Sequence, residues 1–158
     1  MRVGQGLDVH AFSSDPDRPL VLGGLVLPGP GLEGHSDADV VLHAITDALL
    51  GAAVLGDLGT LFGSDDPRYA GVPSSTFLEE SLRRAAAAGW SLTGVDCTIV
   101  AQRPRIGPYR TAIADGLQRL AGLQPGMVSV KATSTDGLGT IGRGEGIACL
   151  AVAVVERR

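Results

Sequence analysis

The stretch Ile147-Ala-Cys-Leu-Ala-Val-Ala-Val-Val155 restricts the fold more than any other part of the chain, because it is apolar throughout. It falls well short of the ~18 residues that a membrane-crossing helix needs. Read as a strand from Gly146 to Glu156, it has no polar face to turn to water, so both its faces should be covered. Aromatic residues make up only 4% of the chain against 44% hydrophobic, so the core around that strand must be built from Leu, Val, Ile and Ala.

The other segments supply partners for it. Residues 2–10 read as a first strand. Pro19 to Pro28 holds two apolar runs separated by Gly23-Gly24, a short hairpin. After a loop to Gly34, Ser36-Asp37-Ala38-Asp39 opens a helix: Ser36 and Asp39 have capping-box spacing, and Asp37 is an alternative cap. This helix should run to about Leu55, with Val40, Ile45, Ala48, Leu49 and Ala52 facing inward. Residues 56–67 read as a long polar loop. A second helix is expected from Ser75 to Ala88, with Thr76 and Glu79 as its cap and Gly89 as its stop. Trp90 to Gln102 reads as a strand. Residues 103–108 read as a turn, with Pro108 suited to the first position of a third helix that ends at Gly122. Val128 to Thr133 is a strand and residues 134–144 a Gly-rich loop. The order predicts an α+β fold, a mixed sheet with helices on one face plus a small β-hairpin, in a single domain spanning 1–158.

Charge and composition exclude several classes. The net charge is −4 and no basic stripe is present, so no nucleic-acid partner is expected. The N-terminal residues include no apolar signal segment, which predicts a cytoplasmic protein with no membrane partner. Cys97 and Cys149 lie in apolar stretches without metal-ligand spacing and read as reduced core residues.

All three histidines, His10, His35 and His43, fall in the first 43 residues. On a strand Asp8 and His10 point to one face. A third ligand, His43, from the helix would complete a three-ligand metal site with one open position, as in catalytic zinc centres. Asp39 and Asp47 flank His43 at i−4 and i+4, where one of them could fix its tautomer; a helix-terminal charge and a solvated face are the plainer alternatives. The segment 131–146 combines Lys131, the hydroxyls of Thr133, Ser134 and Thr135, Asp136, Arg143 and several glycines, a set suited to phosphate oxygens and to Mg²⁺ on Asp136. The turn Ala101-Gln102-Arg103-Pro104-Arg105-Ile106-Gly107 could present backbone groups to a flat ligand.

Gly-Leu-Asp-Val-His at 6–10, Gly-His-Ser-Asp-Ala-Asp-Val at 34–40, Leu-His-Ala-Ile-Thr-Asp-Ala-Leu-Leu-Gly at 42–51 and Gly-Asp-Leu-Gly at 56–59 occur in this order. They are followed by Ala-Gln-Arg-Pro-Arg at 101–105, Lys-Ala-Thr-Ser-Thr-Asp-Gly-Leu-Gly at 131–139 and Gly-Arg-Gly-Glu-Gly-Ile-Ala at 142–148. Together they resemble, nearly end to end, the 2-C-methyl-D-erythritol 2,4-cyclodiphosphate synthases of the non-mevalonate isoprenoid pathway. The resemblance implies a four-stranded mixed sheet of ferredoxin-like topology in a homotrimer with active sites between subunits. It implies Zn²⁺ on Asp8, His10 and His43, and Mg²⁺ or Mn²⁺ on Asp136 with the substrate diphosphate. It makes His35 and Ser134 the pair that stabilises the transition state, and places Ser36 and Asp57-Leu58-Gly59 near the methylerythritol group under a loop from Phe62 to Asp66. Ala101 to Gly107 would hold cytosine, and Thr133 to Asp136 the diphosphate. Arg143 and Glu145 would lie near the trimer axis.

The implied activity is a phosphorus–oxygen lyase. The 2-phosphate of 4-diphosphocytidyl-2-C-methyl-D-erythritol 2-phosphate attacks the β-phosphorus, CMP leaves, and a cyclic diphosphate forms. No protein nucleophile is needed, and no Ser-His-Asp or Cys-His set is evident in the sequence. Three positions depart from the family pattern. Ser134 stands for Thr with the hydroxyl kept, Thr140-Ile141 for a Phe-Thr pair at the trimer-centre cavity, and Phe62-Gly63-Ser64-Asp65-Asp66 carries an extra Gly. A zinc phosphoesterase using metal-bound hydroxide, and a metal- or isoprenoid-diphosphate-binding trimer, are the alternatives.

Overall fold

A computed structural model describes residues 1–63 and 66–158. Strand β1 (Arg2–Ala11) is followed by the hairpin β2 (Leu20–Leu22) and β3 (Leu25–Leu27), then helices α1 (Val40–Ala53), α2 (Leu58–Phe62) and α3 (Ser75–Ala87). Strand β4 (Trp90–Ala101), helix α4 (Arg110–Ala121), strand β5 (Val128–Thr133), the single turn α5 (Gly139–Gly142) and strand β6 (Gly146–Arg157) complete the chain. The sheet order is β1-β6-β4-β5, with β4 and β5 parallel and the other pairs antiparallel.

The α+β class, the mixed four-stranded sheet and the separate hairpin agree with the sequence reading. The ferredoxin-like arrangement does not: it connects its strands β-α-β-β-α-β, whereas these four run β-α-β-α-β-β. The apolar β6 must sit inside the sheet, and it does so by inserting between β1 and β4. That leaves β4 and β5 to be joined through α4, as a parallel pair requires.

Register explains what faces what. Gly4, Gly6, Asp8 and His10 lie opposite Ala153, Ala151, Cys149 and Ile147, and this is the face that the helices cover. A Cβ on Gly4 would come 2.0 Å from the Ala48 carbonyl oxygen, and one on Gly6 would come 2.0 Å from that of Ala44. Backbone therefore packs directly on backbone, with Ala44, Ala48 and Ala52 as the matching small residues of α1. Ile45 and Leu49 are fully buried beside them; such side chains contribute roughly 1.5–3 kcal/mol each by leaving water. The close approach also fixes the height of His43, the neighbour of Ala44, above Asp8 and His10.

The opposite face of the sheet is bare in the single chain. Val3, Leu7 and Val9 are 63%, 58% and 55% exposed, and Leu150 of β6 is 39% exposed. The expectation that β6 is covered on both faces is therefore met on one side only.

Helix starts also differ from the sequence reading. Asp39, not Ser36 or Asp37, is the N-cap of α1. Its carboxylate accepts from Val41 and Leu42 N–H, and also from Gly23 and Gly24 at 2.9 and 2.6 Å. One buried side chain thus starts the helix and ties the hairpin to it. Helix α3 begins after Ser74 with no side-chain cap, so Thr76 and Glu79 do not form one. The polar loop 56–67 contains α2, started by Asp57, whose carboxylate accepts from Thr60 N–H. Pro108 sits in a 3-10 turn, Gly107–Tyr109, that leads into α4.

Candidate active site

Asp8 and His10 project from β1 and His43 from α1 into one cavity. Asp8 Oδ2 lies 2.9 Å from His10 Nε2 and 3.1 Å from His43 Nδ1, and the two ring nitrogens are 3.1 Å apart. This is the one cluster of this kind among the described residues. The outer nitrogen of each ring is already engaged. His10 Nδ1 faces the Glu33 carbonyl at 2.5 Å, which can only accept, so it carries the proton. His43 Nε2 faces Ser74 Oγ at 2.9 Å, and Ser74 donates its own proton to Asp37. Each neutral ring is left with its lone pair on the inner nitrogen. Two lone pairs and a carboxylate within 3.1 Å of one another call for a cation between them. Two imidazoles and one carboxylate with an open side fit a catalytic divalent metal.

Electrostatics agree. Burial pushes the Asp8 carboxyl up, but hydrogen bonds and charge from His10 and His43 outweigh it and hold Asp8 well below the ordinary carboxylate range. For His10, burial lowers the pKa, and Asp8 together with the Glu33 carbonyl more than reverses that. The site favours positive charge at its centre, whether a proton or a metal.

The cavity around the cluster, about 210 Å³, is lined by His35, Ser36, Leu58, Phe62, Tyr69 and Phe77 besides the three ligands. Phe62, Tyr69 and Phe77 form one aromatic cluster with ring centroids 4.9–5.5 Å apart, and Phe77 lies 5.8 Å from His43. Tyr69 and Phe77 had no signal in the sequence, because each lies far along the chain from the histidines. His35 donates from Nε2 to the Asp66 carbonyl at 2.9 Å. Its loop is held by Arg18, whose guanidinium donates to the carbonyls of Leu32, Gly34 and Ser36. Asp66 is held down to about 2 by the side chain of Arg68. Of the Phe62–Asp66 loop, Ser64 and Asp65 lie outside the described residues.

The carboxylates of the two acids flanking His43 go to backbone N–H groups and not to its ring. Asp39 is consumed by four backbone N–H groups, and Asp47 accepts from Leu58 N–H at 2.7 Å, tying α2 to α1. The outer nitrogen of His43 meets Ser74 Oγ at 2.9 Å and Ser36 Oγ at 3.2 Å instead.

The second expected region lies across the sheet. Ala101, Gln102, Pro104, Arg105, Ile106 and Gly107 line a cavity of about 490 Å³ with Ala132, Thr133 and Ser134. Arg103 points elsewhere, over the Phe12 ring and to the Gly144 carbonyl at 3.3 Å. Ser134 Oγ donates to Asp136 Oδ1 at 3.1 Å, and Thr135 Oγ1 donates to the Leu138 carbonyl at 2.6 Å. Asp136 takes a left-handed φ of 52°, which places its carboxylate back over Ser134. Arg143 pairs with Glu145 at 2.6 Å.

His35 and Ser134 are not brought together. They line different cavities at the two outer strands, β1 and β5, which three strand spacings put about 14 Å apart. Thr140 and Ile141 line a smaller cavity of about 180 Å³ with Val9, Ala11 and Gly146 on the bare face.

The comparisons fit this geometry. The chain matches the YgbB family model over residues 1–156. The 2-C-methyl-D-erythritol 2,4-cyclodiphosphate synthase of Desulfatibacillum aliphaticivorans is 51% identical over 157 residues, 99% of this chain and 100% of that one. The synthase of the same name from Moorella thermoacetica is 50% identical over 156 residues, 98% and 94% of the two chains. A solved 2C-methyl-D-erythritol-2,4-cyclodiphosphate synthase in its CDP-bound form superposes with a TM-score of 0.88 at 38% identity, covering 98% of this chain and all of that one. The bifunctional IspDF of Campylobacter jejuni gives a TM-score of 0.94 at 36% identity over 99% of this chain, which spans 42% of that larger protein. The chain belongs to the YgbB family, and its full-length relatives are 2-C-methyl-D-erythritol 2,4-cyclodiphosphate synthases.

Proposed function

We infer that the chain catalyses the cyclisation of 4-diphosphocytidyl-2-C-methyl-D-erythritol 2-phosphate to 2-C-methyl-D-erythritol 2,4-cyclodiphosphate with release of CMP, as a metal-dependent phosphorus–oxygen lyase. The observation that carries this reading is the Asp8–His10–His43 cluster, opening into a cavity that also holds His35 and Ser36, in a chain half identical to such synthases.

In the reaction an oxygen of the 2-phosphate bonds to the β-phosphorus. The bond from that phosphorus to the bridging oxygen breaks, and CMP leaves with the electron pair. The enzyme's share is position and charge: closing a flexible chain into a ring costs entropy, and a preorganised site can recover up to roughly 7–11 kcal/mol of such costs. Asp8, His10 and His43 would hold Zn²⁺, which would supply a Lewis acid for phosphate oxygens. Asp136, one exposed carboxylate beside the Ser134 hydroxyl, would hold Mg²⁺ or Mn²⁺, which would supply positive charge for the substrate diphosphate. Ser36 and the Asp57–Gly59 turn hold the methylerythritol end, and residues 101–107 hold the cytosine through backbone groups. Thr133 and Thr135 bind diphosphate oxygens, while His35 and Ser134 face the charge developing at phosphorus.

Those roles need both cavities at one substrate. The separation of the two within a chain supports a homotrimer in which the metal cavity of one subunit meets the nucleotide cavity of the next. The exposed apolar face of Val3, Leu7, Val9 and Leu150 supports it too, since burying that face would complete the cover that β6 lacks.

The test is to incubate the protein with the cytidyl substrate and Mg²⁺, with and without a zinc chelator, and to follow products by phosphorus NMR. Chelator-sensitive formation of CMP and a cyclic diphosphate is expected. CMP with a linear diphosphate would replace this reading with a hydrolase, and no CMP under any condition would contradict it.

A further inference from the structure

We propose that Ser74 and Asp37 are positioning residues for His43: through one shared proton chain they fix which imidazole nitrogen is free to take the metal. This rests on the metal-site reading above. The Ser74 hydroxyl is fully buried. It lies 2.9 Å from His43 Nε2 and donates to Asp37 Oδ1. Asp37 Oδ1 also accepts from the backbone N–H groups of Ser74 and Asp39 at 3.1 and 3.2 Å, so the carboxylate cannot swing away.

The consequence follows from counting protons. A serine hydroxyl has one proton, and a carboxylate only accepts. With that proton given to Asp37, Ser74 keeps its lone pairs for the two groups beside it, the Ser36 hydroxyl and His43; with Ser36 donating to Ser74, Nε2 carries the ring proton. The lone pair of the neutral ring is then at Nδ1, the nitrogen that faces Asp8 and His10. Hydrogen bonds of this kind behind a metal-bound histidine typically change metal affinity or activity 10- to 100-fold.

A purely structural role for Ser74 is the competing explanation, since it precedes α3. Its side chain makes no capping bond to that helix, so the hydroxyl serves His43 and Asp37 rather than α3. Ser36 Oγ lies 3.2 Å from both His43 Nε2 and Ser74 Oγ and already accepts Ala38 N–H. Among the described residues it is the other hydroxyl within hydrogen-bond reach of His43 Nε2, and so the one able to substitute for Ser74.

The test uses the full chain and the variants Ser74→Ala, Ser74→Thr, Asp37→Asn and Ser36→Ala/Ser74→Ala. Zn²⁺ affinity is read by competition with a chromophoric chelator, and the position of the His43 ring proton by ¹⁵N NMR of the metal-free proteins. Ser74→Ala, and more strongly the double variant, should weaken Zn²⁺ by about 10- to 100-fold, Asp37→Asn by about tenfold, and Ser74→Thr should restore affinity to within about threefold. In the wild type the proton should sit on Nε2, and in the double variant it should be shared between the two nitrogens. A double variant that binds Zn²⁺ like the wild type with its proton still on Nε2 would overturn the proposal. Failure of the wild type to bind Zn²⁺ would instead overturn the metal reading, while the NMR measurement would still judge the proton chain alone.

Discussion

The β1 edge and the β5 edge of the sheet carry the two halves of the proposed chemistry, and they are built differently. At β1 the candidate ligands are backed by protein partners: His10 is held by Glu33, His43 by Ser74, Ser74 by Asp37, and the loop behind them by Arg18. Aromatic rings wall the cavity, and two glycines lock helix to strand. At β5 Thr133 and Ser134 are exposed and Thr135 half-buried, and their hydroxyls bond to their own loop. The first edge is preorganised for a cation by one chain alone. The second satisfies its hydroxyls only within one short loop, where a substrate or a neighbouring subunit can replace those local bonds.

Substitutions should separate the two edges. The largest expected effect is His43→Ala. It should reduce activity by more than the roughly 100-fold typical of a lost supporting hydrogen bond and abolish tight Zn²⁺ binding, as read by product formation and metal analysis. Next comes Gly6→Ala, whose added Cβ would lie 2.0 Å from the Ala44 carbonyl oxygen. It should cost about 3 kcal/mol or more in urea unfolding and loosen the metal site with it. Gly107→Ala, with no atom within 4 Å of the new Cβ, should stay within about 0.5 kcal/mol. Ser134→Ala should leave stability nearly unchanged while lowering kcat by about 10²–10³, as for loss of one donor to a developing anion. Equal effects of Gly6→Ala and Gly107→Ala would contradict the contrast drawn between the edges.

A smaller effect sharpens the role of Asp39. Burial pushes its carboxyl up to about 6 from 3.8, against the N–H groups of Gly24, Gly23 and Leu42. A folded-state pKa above the unfolded one means that the folded state holds the proton more tightly. The stabilisation is complete below pH 3.8 and is lost as pH rises through about 6. Across that window the metal-free wild type should lose up to about 3 kcal/mol relative to Asp39→Asn, measured by denaturant titrations at several pH values. Parallel pH profiles for the two proteins would show that Asp39 does not titrate there. Smallest of all, Lys131→Ala removes an exposed pair with Asp96 and should change stability by no more than about 1 kcal/mol.

Much of this was legible in the residues themselves. Periodicity and Gly/Pro punctuation located the long strands and the three main helices, and the Asp-x-His pair with a helical histidine located the Asp8–His10–His43 cluster. What escaped was what depends on tertiary distance. Ser74 stands 31 residues from His43 in a Pro-Ser-Ser turn that looks like any helix start. Asp39 and Asp47 had the right helical spacing for His43, yet stronger claims from backbone N–H groups took both. The short α2 was hidden in a polar loop, although Asp57 with Thr60 was a readable cap. The sheet order followed from where β6 had to be buried, and local patterns do not encode that. That His35 and Ser134 end in separate cavities is likewise invisible until the strands are laid side by side.

If the two edges meet only across subunits, two variants damaged at opposite edges should complement each other in mixed assemblies. His43→Ala and Ser134→Ala chains would be unfolded together, refolded as a one-to-one mixture, and assayed for CMP and cyclic diphosphate against each variant alone. If a site takes its metal half from one chain and its diphosphate half from the next, random assembly of a cyclic trimer gives about one quarter of sites two intact halves, so the mixture should recover about a quarter of wild-type activity. If each chain builds its site alone, every site in the mixture carries a defect, and activity no higher than that of the separate variants would contradict the account.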